Sequence, residues 1–474
     1  MQIRRIKNKG VNISIILSLT IIVILVTLII KVLLSIDFNA LMLAAGETLE
    51  KDEFNQTNFL IIGTGTDDHD GADLTDTIIV ASLDHNLDVV TMVSIPRDLH
   101  IDDDLLQVPR INEIFYYAKE HFGNEKEGLD FLVKKVEEST GLPIHYHVKI
   151  DFKGFTEIID AIGGIDIDVP EAIYDPFYPK AETISYELFQ VSKGLQHMDG
   201  ATALKYARSR KTTSDFDRSK RQQQIIYALK EKALQTRLIL DTDKLKELLN
   251  TVNDNIETNL NIREMLTLGA LADNFSQEKV LSFQIHDDPV QCGGFLYAPP
   301  IQQTGGAFVL EPAGGIEYLQ KYFDLITKHQ PAFHENLKIQ VLNGTPAAGI
   351  AAENKQVFQR YCMDVERFGN ARSQNIKQTT IYYNPIPLPK KEPTEETKYY
   401  TPFTIELIKE IIPEAVTSET FPQEYIDQGY DKLSDIIVEI GEDYIDSDHY
   451  LEDSFYPLYE IIYAEPTLEP TTDE

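Results

Sequence analysis

The feature that most constrains this chain lies near its start. Val11 to Ile30 is an unbroken uncharged run rich in Ile, Leu and Val, and residues 1–10 hold Arg4, Arg5, Lys7 and Lys9 with no acid. About 20 apolar residues cross ~30 Å of hydrocarbon as a helix, and basic residues ahead of them hold the N-terminus in the cytoplasm. The pattern predicts a basic cytoplasmic tail over 1–10 and a transmembrane signal-anchor over 11–36. The protein is thereby expected in the cell membrane, single-pass, with the bulk of the chain extracytoplasmic. A cleaved secretory signal is the competing reading, but the run exceeds the usual h-region and Leu41 to Gly46 matches a cleavage site only loosely.

The remaining length, out of 474 residues, is enough for two or three domains. With 76 acids against 43 bases the net charge is −33, which argues against nucleic acid as a partner. Much of the acidity is peripheral: from Lys391 onward there are 23 acids against 4 bases, or −19 of the total. The stretch 446–474 reads as a solvated acidic tail. Cys292 and Cys362, far apart and alone, read as two unrelated buried thiols rather than a disulfide framework or zinc site.

Short apolar runs at Asn58 to Ile62, Thr77 to Leu83 and Val89 to Ile95 predict strands, and helical periodicity follows at Gly128 to Ser139, Phe152 to Ala161 and Asp217 to Leu234. Strands alternating with helices imply an α/β domain, αβα layered, over 55–290. The Gly/Pro-rich piece from Gly293 to Gly315 marks a connector over 291–335. A second, smaller α/β domain is expected over 336–445. Its elements are strand Leu337 to Leu342, helix Ala351 to Tyr361, strand Thr379 to Tyr383, helix Thr404 to Ile412 and strand Asp435 to Ile440, with a Pro-rich insertion at Asn384 to Pro393.

Against the acidic background, Arg208, Arg210, Lys211, Arg218, Lys220 and Arg221 put six cations within fourteen residues. Arginine binds phosphate oxygens bidentately and stays charged when partly desolvated. Arg218, Arg221 and Gln222 share a helical face by their i, i+3 and i+4 spacing. A solvated face paired with Asp215 and Asp217 is the bland alternative. Arg97, in Ser94-Ile95-Pro96-Arg97-Asp98, follows a strand and so emerges where α/β sheets bind ligands, and Arg110-Ile111-Asn112 adds a further cation. Asp76, in Leu74-Thr75-Asp76-Thr77, is a candidate ligand for Mg²⁺, a hard ion that prefers oxygen ligands. Taken singly these residues also have structural readings, Asp76 as a turn cap and Arg97 in a pair with Asp98. Gly63-Thr64-Gly65-Thr66 hints at a phosphate loop without completing either glycine motif. His69, His145 and His147 take structural readings.

The order of these segments resembles the LytR-CpsA-Psr family of wall-polymer ligases. The resemblance runs from Asn58 to Leu234 through the motifs just quoted, then Asp151-Phe152-Lys153-Gly154-Phe155, Gly163-Gly164-Ile165-Asp166, Met198-Asp199-Gly200 and Arg208-Ser209-Arg210. Residues 337–444, with Val341-Leu342-Asn343-Gly344, resemble the C-terminal module often appended to such proteins. The resemblance implies an LCP-like catalytic domain in a Mg²⁺-dependent phosphotransferase. It would move a glycopolymer from a polyprenyl-pyrophosphate carrier to a peptidoglycan sugar hydroxyl, so its partners would be the lipid-linked glycan, peptidoglycan and the membrane. It implies catalytic roles for Arg97, Arg218 and Asp215 and diphosphate binding by Arg110, Arg208, Arg210, Arg221 and Gln222. Asp76 would hold the metal. Gly65 stands where the family usually has an aspartate, and of Asp67, Asp68 and Asp70 in the same loop Asp70, which precedes Gly71 and lies nearest Asp76 in sequence, is taken as the second ligand. Phe152, Phe155 and Ile159 lie near the family's lipid-pocket segment, in an apolar stripe with Ile158 and Ile162 that a plain core helix explains equally well. A non-catalytic anchored wall-binding or regulatory protein and a lipid-pyrophosphate hydrolase remain as alternative functions.

Overall fold

The computed structural model describes residues 49–65, 73–179, 185–209, 256–261, 279–388 and 397–447, with single positions or pairs in 221–232 and 263–271. Among these no helix is long and apolar enough to cross a membrane, and the 11–36 run lies outside them. The fold is mixed α/β in two compact units that divide at residue 283, with residues 139–141 grouped with the second.

Three apolar runs build the centre of the first unit: β1 (Gln56–Thr64), β2 (Thr75–Asp84) and β3 (Val89–Ile95). Leu60, Ile62, Val80 and Val93 are buried on one face and Phe59, Ile61, Ile79 and Met92 on the other. Burial on both faces is why these strands read as continuous rather than alternating hydrophobic runs. The chain continues through α1 (Ile111–Phe122), α2 (Glu125–Thr140), β4 (Tyr146–Asp151) and α3 (Phe152–Ala161). Two hairpins follow, β5 (Ile165–Val169) with β8 (Gly194–Met198) and, between them, β6 (Ile173–Pro179) with β7 (Tyr186–Val191). Helix α4 (Gly200–Arg208) and strands β9 (Ile256–Thr258) and β10 (Val280–Gln284) complete the unit. The sheet order is β10-β3-β2-β1-β4-β9, with β1 antiparallel to β2 and parallel to β4.

Several of the quoted motifs serve this scaffold. Asp151 caps α3 by accepting from the Gly154 amide at 2.6 Å, and Asp199 caps α4 by accepting from Thr202 at 2.8 Å. Gly200 lies so close to α3 that a Cβ there would stand 2.2 Å from the Thr156 carbonyl oxygen. Met198-Asp199-Gly200 is therefore the docking point of α4 on α3, and it fixes where Arg208 comes to lie.

The second unit opens differently from expectation. The 291–335 stretch is not a bare connector: it carries the short pair β11 (Leu296–Tyr297) and β12 (Glu311–Pro312), then α5 (Ile316–Lys328) and α6 (Gln330–Glu335). Leu319, Tyr322, Phe323 and Ile326 of α5 are fully buried. The two cysteines are not separate thiols. Cys292 and Cys362 form a disulfide, with Cα atoms 4.4 Å apart, that ties this stretch to the end of α7 (Ile350–Arg360). Cysteine count and spacing carry no information about which loops meet, so only the packing of α5 against the module reveals the bond. The sheet here has the order β14-β13-β19-β15-β18, formed by β13 (Lys338–Asn343), β14 (Asp364–Asn370), β15 (Thr380–Tyr383), β18 (Val416–Ser418) and β19 (Ile436–Ile440). The Pro-rich insertion is itself partly paired, β16 (Ile386–Pro387) against β17 (Tyr399–Tyr400), and α8 (Phe403–Ile411) covers the module.

Candidate active site

The edge of the first sheet where β1, β3 and β4 end and β2 begins gathers the expected residues. Asp76 sits in a β-bulge: Gly63 pairs with Thr77 and Thr64 with Thr75, so Asp76 is the extra residue between. A bulge redirects a side chain at a strand end, a common device beside active sites. Asp76 Oδ1 accepts from Arg97 Nη1 at 3.0 Å. A ladder of alternating charge continues from there. Arg97 Nε lies 3.5 Å from Asp98 Oδ2, Arg110 Nη1 lies 3.7 Å from Asp98 Oδ1, and Arg110 Nη2 donates to Glu113 Oε1 at 2.6 Å. Burial lowers the Arg97 pKa, but pairing with Asp76 and then Asp98 outweighs it and the net shift is upward. Arg110 is raised first by its hydrogen bond to Glu113. Both guanidiniums are therefore fixed cations that stay half-exposed, and the backbone holds them in place: Asn112 N donates to Arg97 O at 3.2 Å and Ile111 N to Leu99 O at 2.9 Å. The Arg110-x-x-Glu113 pair was legible as an i, i+3 spacing, although only the start of the helix at Ile111 makes that spacing meaningful.

The opposite side of the β1 terminus carries a second cation. Thr64 is in register with Thr75 on one side and Asp151 on the other. Adjacent strands lie about 4.8 Å apart, so the Asp76 and Asp151 backbones flank the end of β1 roughly 10 Å from one another. Phe152 follows Asp151, and the Arg208 guanidinium stacks over its ring at 4.2 Å from the centroid. Phe152, expected to touch lipid, thus also seats an arginine. Phe155 is partly buried against the core. Ile159 is wholly enclosed with Ile158 and Ile162, which is a packing position.

Arg221 was expected among the diphosphate ligands and has a different position. It is 5% exposed, and its Nε donates to Tyr206 O at 2.8 Å while Nη2 donates to Ser209 O. Those are carbonyls at the C-terminal end of α4, where a helix leaves acceptors unfilled and favours positive charge. Arg221 is a cap that holds the segment bearing Arg208. A further partner escaped the sequence reading: Asp175 on β6, 1% exposed, accepts from Ser209 Oγ at 2.7 Å. Nothing local in sequence connects residues 34 apart. Above it burial raises the Tyr178 pKa, an effect that the nearby Arg208 charge opposes. Asp70, Arg210, Asp215, Arg218 and Gln222 lie outside the described residues, as does His69. His145 is structural, its Nδ1 accepting from Asn58 N at 2.9 Å, and His147 is buried.

Among the described residues no three His, Cys, Asp or Glu side chains gather as a metal cluster. The donor set nevertheless suits Mg²⁺. Asp76 offers a half-exposed carboxylate with one oxygen committed to Arg97, and Thr64 Oγ1 and Asn112 Oδ1 nearby in the fold are buried oxygens with no hydrogen-bond partner among the described atoms. Magnesium takes hard oxygens and often only one or two protein carboxylates.

Comparison with known proteins decides the family. The LytR_cpsA_psr family profile matches residues 39–304, and a second profile, the LytR cell envelope-related transcriptional attenuator, matches residues 336–444. The chain belongs to the LytR_cpsA_psr family. It is 33% identical over 223 residues to the polyisoprenyl-teichoic acid–peptidoglycan teichoic acid transferase TagV of Bacillus subtilis, covering 46% of this chain and 53% of that protein. It is 31% identical over 188 residues to the probable cell wall biosynthesis protein LcpB of Corynebacterium glutamicum, covering 36% and 41%. The crystal structure of Bacillus subtilis TagV aligns with 58% of this chain and 99% of that one at 26% identity and a TM-score of 0.42. This LytR_cpsA_psr chain thus matches about half the length of the TagV sequence.

Proposed function

We propose that this protein is a membrane-anchored phosphotransferase that moves a glycopolymer from a polyprenyl-pyrophosphate carrier to a sugar hydroxyl of peptidoglycan, outside the cell membrane. The observation that carries the reading is the pair of fixed cations, Arg97 and Arg208, on either side of the end of β1, in a chain of net charge −33. A diphosphate needs converging positive charge, and arginines at a sheet edge supply it in the fork geometry that phosphate oxygens accept. In the reaction the acceptor oxygen attacks the phosphorus that bears the glycan, the bond from that phosphorus to the bridging oxygen breaks, and polyprenyl phosphate leaves with the electron pair. The acceptor's proton passes to a base, a role for which Asp215 is the candidate.

Arg97 and Arg110, held by Asp76, Asp98 and Glu113, would orient the diphosphate, with Arg208, Arg210, Arg218 and Gln222 completing the clamp. Preorganised charge of this kind stabilises the transition state without reorganisation. Mg²⁺ held by Asp76 and Asp70 would supply further neutralisation of phosphate oxygens. Phe152 and Phe155 would meet the isoprenoid chain. The names of the relatives support this substrate class, and the apolar run over 11–30 supports the anchor over 11–36.

The test is turnover by the full chain in vesicles with a polyprenyl-pyrophosphate glycan, peptidoglycan fragments and Mg²⁺, products being followed by mass. Glycan phosphate on the acceptor, lost in Arg97→Ala and with chelator, is expected. Free glycan phosphate alone would make the protein a hydrolase. Binding without cleavage would make it an anchored wall-binding protein.

A further inference from the structure

The β6–β7 hairpin has two unlike faces. Its inner face, Asp175, Tyr178, Phe189 and Val191, joins the core and holds the end of α4: Asp175 bonds Ser209, and Glu187 pairs with Lys205 at 2.5 Å. A bulge between Asp175 and Tyr178 lets both of these point inward while Phe177 is turned outward. The outer face presents Tyr174, Phe177, Pro179, Tyr186, Leu188 and Gln190, all exposed and none charged. Tyr186 is 61% and Leu188 52% exposed, and the rings of Phe177 and Tyr186 meet edge to face at 5.9 Å. In a chain with 76 acids, a charge-free aromatic sheet face is out of character with the rest of the surface.

We infer that this face seats on the lipid bilayer and so brings the Arg208 end of α4 to the membrane surface. The inference rests on the reading that residues 11–36 span the membrane. Only residues 37–48 separate that run from Leu49, which is buried in the same core as the inner face of the hairpin. Twelve residues reach at most about 40 Å, so the unit is confined near the bilayer whatever path they take. Tyrosine and phenylalanine with an adjacent leucine match the composition of membrane–water interfaces, where amphipathic rings sit at headgroup level. A sugar-binding platform would need a dense set of polar groups around its rings to fix hydroxyls, and among the described residues of this face only Gln190 and the hydroxyls of Tyr174 and Tyr186 offer them. Because α4 lies against the inner face, seating the outer face on lipid would hold its Arg208 one layer, about 10 Å, from the headgroups. A diphosphate on a lipid carrier lies at that level.

The chain contains no tryptophan, so a single introduced one reports its own surroundings. Full-length Tyr186→Trp and Leu188→Trp would be reconstituted separately in vesicles containing brominated phospholipid. Tyr117→Trp, at an exposed position of α1, serves as reference. Both hairpin tryptophans should emit to the blue of the reference and lose most of their intensity to brominated lipid, while the reference stays accessible to aqueous iodide. Hairpin tryptophans that iodide quenches and brominated lipid does not would overturn the inference. Protection appearing only with added glycan would make the face a sugar platform, and protection that grows with protein density in unbrominated vesicles would make it an interface between copies. Both results overturn the lipid assignment. Extraction of the same vesicles with alkaline carbonate reads the anchor separately: release of the protein would sink the anchor, whereas wet tryptophans on a retained protein would sink only the hairpin's role.

Discussion

Replacing Arg221 by alanine separates two readings of one arginine. If Arg221 is a cap, the substitution leaves the carbonyls of Tyr206 and Ser209 without their donors in a region where the side chain itself is 5% exposed. A hydrogen bond from a charged group contributes about 1.5–3 kcal/mol net, and two made by one guanidinium are not independent, so the loss should be roughly 3–5 kcal/mol. Arg221→Lys, whose ammonium cannot span both carbonyls in the fork geometry, should recover only part of it. Because a chain of two units need not unfold in one step, the readout is hydrogen exchange of the α4 amides from Ala203 to Ser209, compared with those of β1. Protection in α4 should fall far more than in β1. If α4 protection stays at its original level and Arg221→Ala only raises the KM for the lipid-linked substrate, the residue is a phosphate ligand and the capping argument is wrong.

Three further outcomes follow from buried groups. Burial lowers the pKa of His85, His145 and His147 below the ordinary 6.5, so unfolded chains take up protons first as the medium is acidified. Stability of the first unit should be level above about pH 6.5 and fall as pH drops below it, through the window down to the native pKa values. Urea midpoints from about pH 8 to about pH 5 should show this slope, and His145→Asn with His147→Gln should flatten it. The Cys292–Cys362 bond closes a 70-residue separation, and the chain-entropy relation puts its contribution near 4 kcal/mol. Reducing agent should therefore lower the unfolding midpoint of the second unit and leave that of the first in place. Glu439, 1% exposed on β19, accepts from Tyr382 at 3.1 Å and from Tyr425, with Arg372 Nε at 3.4 Å. Glu439→Leu strands these partners and should cost about 3–5 kcal/mol in urea unfolding, with Glu439→Gln losing less. Equal losses in the two variants would show that the charge network is not what stabilises this core.

Much of this protein can be read in one dimension. The strands over 56–64, 75–84 and 89–95 and the helix over 152–161 follow from runs and periods only a few residues long, and such patterns survive because backbone hydrogen bonding is local or depends on a repeating face. The arginines stand out for the same reason: charge against an acidic background needs no geometry to be seen. Sequence could not divide the work among them. Arg208 and Arg221 are the same residue type in one cluster, yet one stacks on Phe152 and the other is spent on backbone carbonyls. That division depends on how α4 lands on α3, which the clearance at Gly200 decides. The disulfide, the Asp175–Ser209 bond and the Glu439 cradle join residues 70, 34, and 57 or 14 positions apart. Such partners are chosen by chain topology, because a buried charge is tolerated only beside the group that packing brings to it, and a disulfide forms only where the fold brings two thiols within bonding geometry.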